Sequence, residues 1–170
     1  MFIKFLRENN IVAGILTIVR LYWGYMWTTA AIGKLTNGFD ASGFLANAVA
    51  NPVMGPDKEP VFGLYVKFLE SVALPNADLF STIIPIGELL VGLGLILGCL
   101  TTYAAFFGMV MNFSFLMAGT ISHNPTDILM GVFICAAGLN AGKIGLDRWV
   151  MPYLSKAINK GKNKEERVTA

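Results

Sequence analysis

Charge is what this sequence has least of. Only 14% of its 170 residues are Asp, Glu, Lys or Arg, while 55% are hydrophobic. Soluble domains carry about a quarter charged residues, so this composition points to a single membrane domain. Metal-ligating side chains are scarce as well. One His and two Cys leave no CxxC, no CxxCH and no second His, which excludes the usual haem and zinc motifs. Cys99 and Cys135 lie on separate expected helices at different depths and read as buried thiols without a disulfide. Neither an internal repeat nor a nucleic-acid motif occurs, so nucleic acid is not an expected partner.

Long apolar runs fill the space that charge leaves. They predict spans over about 11–33, 79–99, 103–121 and 126–144. The first run, Ile11–Ile32, measures about 33 Å as a helix and suffices to cross a bilayer. A cleaved signal peptide is the competing reading, disfavoured by the length of the run and by Arg20 inside it. Between the first two spans lies an outer loop, 34–78. There Asp40 can cap a helix from Ala41 to about Ala50, NPVMGPDKEP is a turn region, and VFGLYVKFLESVAL (61–74) reads as an amphipathic helix on the membrane surface. Pro85 removes a helical amide within the second span, so a local bend is expected there. Residues 148–170 read as an interfacial segment, with Trp149 and Tyr153 as anchors, followed by a disordered basic tail. The expected fold is all-α: a polytopic membrane four-helix bundle over residues 1–147, with an outer amphipathic-helix loop.

Lys and Arg near span ends set orientation. The leader carries Lys4 and Arg7, the segment after Gly142 is dense in both, and loop 34–78 has more acids than bases. Both termini are therefore expected in the cytoplasm, with the chain multi-pass in the membrane and the long loop outside.

Inside the spans stand a few polar residues. An ionised side chain at the bilayer centre costs roughly 2.5–3.5 kcal/mol even on insertion scales, so it needs a partner or a role. Counted from the cytoplasmic ends of their spans, Arg20 and Glu88 lie at about 14 and about 16 Å, with Asn112 at similar depth. They are expected to pair. One reading makes Arg20–Glu88–Asn112 structural glue that sets helix register; the other makes it a ligand or proton site at mid-membrane. A second group gathers at the outer surface: Lys34, His123, Asn124 and Asp127, with Trp27 below Lys34 on the Arg20 stripe. Taken singly, Lys34 is a snorkelling helix-end lysine, Asp127 a first-turn acid and His123 a solvated turn residue. With Arg20 and Trp27 below Lys34 on one stripe, they would together make a cationic, aromatic-lined funnel from the outer face toward mid-membrane.

Three stretches carry a resemblance. RLYWGYMWTTAAIGKL resembles the opening span of the DoxX/DoxD family of bacterial and archaeal membrane proteins, PIGELLVGLGLILG its second span, and AGLNAGKIGLDRW its closing Gly-rich segment ending in Leu-Asp. The resemblance implies a four-helix membrane bundle over nearly the whole chain. DoxD members form the large subunit of a thiosulfate:quinone oxidoreductase, with a small DoxA-like partner. For this chain that implies a membrane subunit of a quinone-linked oxidoreductase resembling thiosulfate dehydrogenase (quinone). Quinone would be the electron acceptor and a DoxA-like subunit or a second copy the partner. Arg20, Glu88 and His123 are the candidate catalytic residues; Lys34, Trp27, Asn112 and Asp127 are the candidate substrate-binding residues. Two other readings stay open: a non-enzymatic scaffold or assembly factor for redox partners, and a small-solute carrier, which the lack of repeated halves disfavours.

Overall fold

The computed structural model describes the backbone of residues 1–168 and the side chains of residues 1–157. It is helical apart from turns and one isolated bridge, Met54 to Pro60. The helices are α1 (Phe2–Glu8), α2 (Asn10–Asn37), α3 (Ser42–Ala50), α4 (Gly63–Phe68), α5 (Ala77–Leu97), α6 (Thr101–Met117), α7 (Asn124–Ala137) and α8 (Asp147–Val168). Helices α2, α5, α6 and α7 overlap the four expected spans, but α6 ends at Met117 rather than 121 and α7 at Ala137 rather than 144. Two helical stretches are long and apolar enough to cross a membrane, Asn10–Asn37 and Gly63–Leu97, and α6 is a shorter apolar helix.

The second of those stretches corrects the reading of the outer loop. Residues 61–74 do not form a separate surface helix: α4 runs through a π-helical turn, Leu69–Ala73, and a 3-10 turn, Leu74–Asn76, straight into α5. Pro75 is compatible with this continuity because it sits at the start of the 3-10 turn, where its missing N–H interrupts little. Further along, α5 continues through Pro85. Helix α3 is as the sequence suggests, and Asp40 anchors its start by accepting hydrogen bonds from the Ser42 amide (2.8 Å) and hydroxyl (2.7 Å). Those bonds hold the Asp40 carboxyl below its usual pKa. At the other end of the chain, residues expected to be disordered are helical within Asp147–Val168. Their Lys, Glu and Arg are good helix formers, which composition-based disorder reasoning undervalues.

Helices α2 and α5 form the central antiparallel pair, and a glycine crossing sets how close they come. A Cβ on Gly24 would lie 2.8 Å from the Gly92 carbonyl oxygen, and one on Gly92 would lie 2.7 Å from the Thr28 amide nitrogen. Small residues allow such an approach where no hydrophobic effect drives helices together. Trp23, fully buried, fills the middle of the bundle against Gly108 of α6 and Gly131 of α7. It meets Trp27 edge-on, with centroids 6.3 Å apart and planes at 77°. A second apolar cluster of Ala41, Leu45, Ala48, Leu69 and Ala73 seats α3 on the π-helical turn. Polar side chains are buried beside this apolar core, and large apolar ones face outward. Arg20, Glu88, Asn112, Asn124 and Asp127 are buried, while Ile15, Ile18, Tyr22, Ile83, Leu90, Phe106, Phe113 and Val132 face outward. Apolar surface of this extent is consistent with contact to a lipid bilayer.

Candidate ligand cavity and the buried ions

Arg20 and Glu88 do not pair. The Arg20 guanidinium, 2% exposed, lies at the C-terminal end of α5. Its Nη1 donates to the carbonyls of Leu95 (2.6 Å) and Ile96 (2.9 Å), and its Nη2 donates to that of Ile144. A helix leaves its last four carbonyls without intrahelical partners. In α5 these are Leu95 to Gly98, since Gly94 still accepts from the Gly98 amide, and each is met. Leu95 and Ile96 accept from Arg20, Leu97 from the Leu146 amide and Gly98 from the Asp147 amide. The cation also faces the negative end of the helix dipole. Gly98, at φ +62°, lets the chain turn against the guanidinium, since a Cβ there would fall 2.8 Å from Arg20 Cζ.

The turn has a mirror-image counterpart in Asp147, which sequence reasoning did not select. Its carboxylate accepts from the Leu100 amide (2.6 Å) and the Thr101 amide (2.9 Å), capping α6 from a distant part of the chain. The Leu-Asp of the closing Gly-rich segment was the available signal. Arg20 thus belongs to a structural clasp, and its place among candidate catalytic residues does not fit this geometry.

The matched-depth estimate failed for a register reason. Gly24 and Gly92 cross at one level, so Arg20 lies beside Leu95 and Ile96, while Glu88 lies nearer the C-terminal end of α2. Lys34 is the partner of Glu88: its Nζ donates to Glu88 Oε1. A lysine side chain in a helix leans toward the N-terminus, so Lys34 reaches back down α2 to the carboxylate. Its ammonium also sits 5.4 Å from the centre of the Phe39 ring. The lysine expected to snorkel into water is instead committed to a buried anion.

This ion pair borders a cavity of about 510 Å³. Helix α2 supplies Met26, Trp27 and Lys34, helix α5 Glu88, helix α6 Asn112 and Phe115, the turn before α7 His123, and the start of α7 Asn124. Phe39 and Phe44, from the loop and α3, also line it; nothing in their local sequence marks them for this role. Asp127 stands behind the wall, with its Oδ2 2.8 Å from His123 Nδ1. Of the seven candidate site residues, five line the cavity, Asp127 supports one of them, and Arg20 lies elsewhere. Among the described residues, three buried polar atoms of the lining have no hydrogen-bond partner: Glu88 Oε2, Asn112 Nδ2 and Trp27 Nε1. A buried polar group without a partner costs about 1–3 kcal/mol; Arg20 Nε, Trp23 Nε1, Thr28 Oγ1 and Thr101 Oγ1, away from the cavity, are in the same position among the described residues. No cluster of three or more potential metal ligands occurs among the described residues.

Comparison with known proteins gives one match. The DoxX family profile covers residues 15–121, more than half the chain. The chain belongs to the DoxX family. No curated protein and no solved structure matches it significantly. The matched region of this DoxX-family membrane protein includes Lys34, Glu88, Asn112 and the Phe39–Phe44 roof, and it stops just before His123 and Asp127.

The ion pair yields a prediction of asymmetric cost. Lys34→Met leaves the Glu88 carboxylate, whose side chain is 3% exposed, without its cation, and should destabilise by roughly 3 kcal/mol. Glu88→Gln leaves a lysine at 29% exposure that can turn toward water, and should cost about 1–2 kcal/mol. Unfolding of both single variants and the double variant in detergent should give a coupling of roughly 1–3 kcal/mol. Arg20 and Glu88 should show none; coupling between them, with Lys34 uncoupled, would overturn the assigned partners.

Proposed function

We propose that this chain is the quinone-reducing membrane subunit of an oxidoreductase resembling thiosulfate dehydrogenase (quinone), with the Lys34–Glu88 cavity as its quinone site. The observation that carries the reading is the set of unpartnered polar atoms in that aromatic wall. A quinone ring is flat and apolar, with a carbonyl acceptor at each end. Asn112 Nδ2 and Trp27 Nε1 are buried donors suited to those acceptors, and Phe39, Phe44 and Phe115 suit the ring. The volume falls within the roughly 300–1,000 Å³ usual for small-molecule sites.

The overall reaction balances as two thiosulfates plus quinone and two protons giving tetrathionate and quinol. Quinone supplies the two-electron acceptor chemistry. The residues of this chain orient the ring and handle protons. Glu88 Oε2 can accept from a quinol hydroxyl, and the Lys34 ammonium beside it compensates charge. His123, held through Nδ1 by Asp127, stands at the mouth with its other ring nitrogen available for exchange with water. The same charges argue against thiosulfate in this cavity. Lys34 is neutralised by Glu88 and Arg20 is bound to carbonyls at the opposite end, so no excess positive charge awaits a dianion. Its oxidation is assigned to a partner subunit of the DoxA kind or to another face. The topology that goes with this reading is four spans in a prokaryotic plasma membrane, both termini cytoplasmic and the cavity toward the outer side.

Mass spectrometry of quinones retained by the detergent-purified chain tests the assignment. Wild-type protein should carry quinone, and Asn112→Leu should lower retention about tenfold, the equivalent of one hydrogen bond of roughly 1.4 kcal/mol. The unfolding midpoint of Asn112→Leu should stay level or rise, because the substitution removes a buried donor that has no partner in the free protein. If wild type retains no quinone and takes up none when it is added, the scaffold reading replaces this one.

A further inference from the structure

At the opposite end of the molecule a second hollow, of about 620 Å³, lies between α1, the turn after α7 and the first half of α8. Three cations from three separate segments line it: Arg7, Lys143 and Arg148. We infer that it is a binding site for a phosphate group, shaped for one carried on an anionic lipid.

The hollow is built rather than incidental. Buried Asn140 donates to the carbonyls of Leu6 (2.8 Å) and Asn9 (3.0 Å), tying the α1–α2 junction to the turn after α7. Arg7 Nε donates to the Ala136 carbonyl at 3.1 Å, which fixes the guanidinium through one of its five N–H groups. Lys143 Nζ is held by Asn10 Oδ1 at 2.6 Å, with two further ammonium protons to offer. Two acids also line the hollow. Asp147 is turned to the α6 amides, and Glu8 is the remaining one. Three cations against one uncommitted carboxylate favour an anion, and arginine suits the oxygens of a phosphate.

The surroundings indicate how that phosphate arrives. Phe2, Phe5, Leu139, Trp149 and Tyr153 are all exposed. Leu139, Met151 and Pro152 line the hollow itself, and the others sit on the helices that flank it; apolar groups with a basic cluster match an amphiphile whose head group is anionic and whose chains run along the protein. Helix α1, with Phe2, Ile3 and Phe5 exposed, would then rest in the same interface.

The test uses the purified full-length chain in detergent, with thermal unfolding followed as each probe is titrated. The probes are short-chain phosphatidylglycerol, short-chain phosphatidylcholine and inorganic phosphate. Phosphatidylglycerol should raise the unfolding temperature well above what phosphatidylcholine does. Arg148→Gln should weaken its apparent affinity about fivefold, the factor expected for one basic side chain near a head group. Arg148 is the residue to replace because its side chain takes no part in the Asn140, Arg7 and Lys143 tethers, and Arg148→Lys should recover much of the effect. A response to inorganic phosphate as strong as to the lipid, and equally sensitive to Arg148, supports the phosphate site and assigns it to the free ion. Equal stabilisation by phosphatidylcholine, or an undiminished response in Arg148→Gln, would overturn the inference.

Discussion

Arg20→Met is expected to destabilise the protein by roughly 3–5 kcal/mol. The guanidinium satisfies the carbonyls of Leu95, Ile96 and Ile144, and methionine keeps the stem while offering them no donor. Each buried acceptor left unmet costs about 1–3 kcal/mol, partly offset because a buried cation no longer has to be desolvated. The loss should show as a lower midpoint in detergent unfolding, read from tryptophan fluorescence. Lysine should rescue only part of it, since one ammonium cannot present the planar fork that reaches carbonyls on two segments. Quinone retained per folded molecule should be nearly unchanged, because the clasp lies away from the cavity. A cost below about 1 kcal/mol would mean that the carbonyls find other partners and that the clasp contributes little.

Gly92→Ala should be nearly as severe, with a loss of about 3 kcal/mol, although the change adds a single methyl group. The new carbon would fall 2.7 Å from the Thr28 amide nitrogen and 3.0 Å from the Gly24 carbonyl oxygen. Both are backbone atoms and cannot swing aside, so the α2–α5 pair must separate or shift register. Separation would also draw Lys34 from Glu88, so quinone retention should fall with stability. Gly14, on α2, is the control. Nothing lies within 4 Å of a Cβ there, and Gly14→Ala should gain roughly 0.5–1 kcal/mol from helix propensity. Opposite signs for one substitution at two glycines of the bundle are the expected outcome; similar effects at both would show that the crossing is not tightly packed.

The positions of the four main helices were legible in the sequence because hydrocarbon runs have few alternatives to a helix in an apolar setting. So was the importance of its interior charges. Arg20, Lys34 and Glu88 stand out against a chain with few charged residues, and buried charge demands a partner in any fold. The turn before α7 and the Asp40 anchor were also readable, being local hydrogen-bond chemistry.

Pairing was a different matter. Depth estimated from span ends assumes that two helices begin at the same level, and α2 and α5 do not. Their register is decided by where two glycines let backbones touch, a property of two surfaces together rather than of either sequence alone. One consequence is that Lys34, not Arg20, neutralises Glu88. Another is that Arg20 closes the end of α5 with help from Ile144 and Asp147, residues more than a hundred positions downstream. The cavity is tertiary for the same reason. Trp27, Lys34, Glu88, Asn112 and His123 were each visible as polar or aromatic residues out of place, but Phe39 and Phe44 close the space only because α3 seats on the π-helical turn. Local pattern determined which residues needed explaining; the packing of helices distant in sequence decided which of them met.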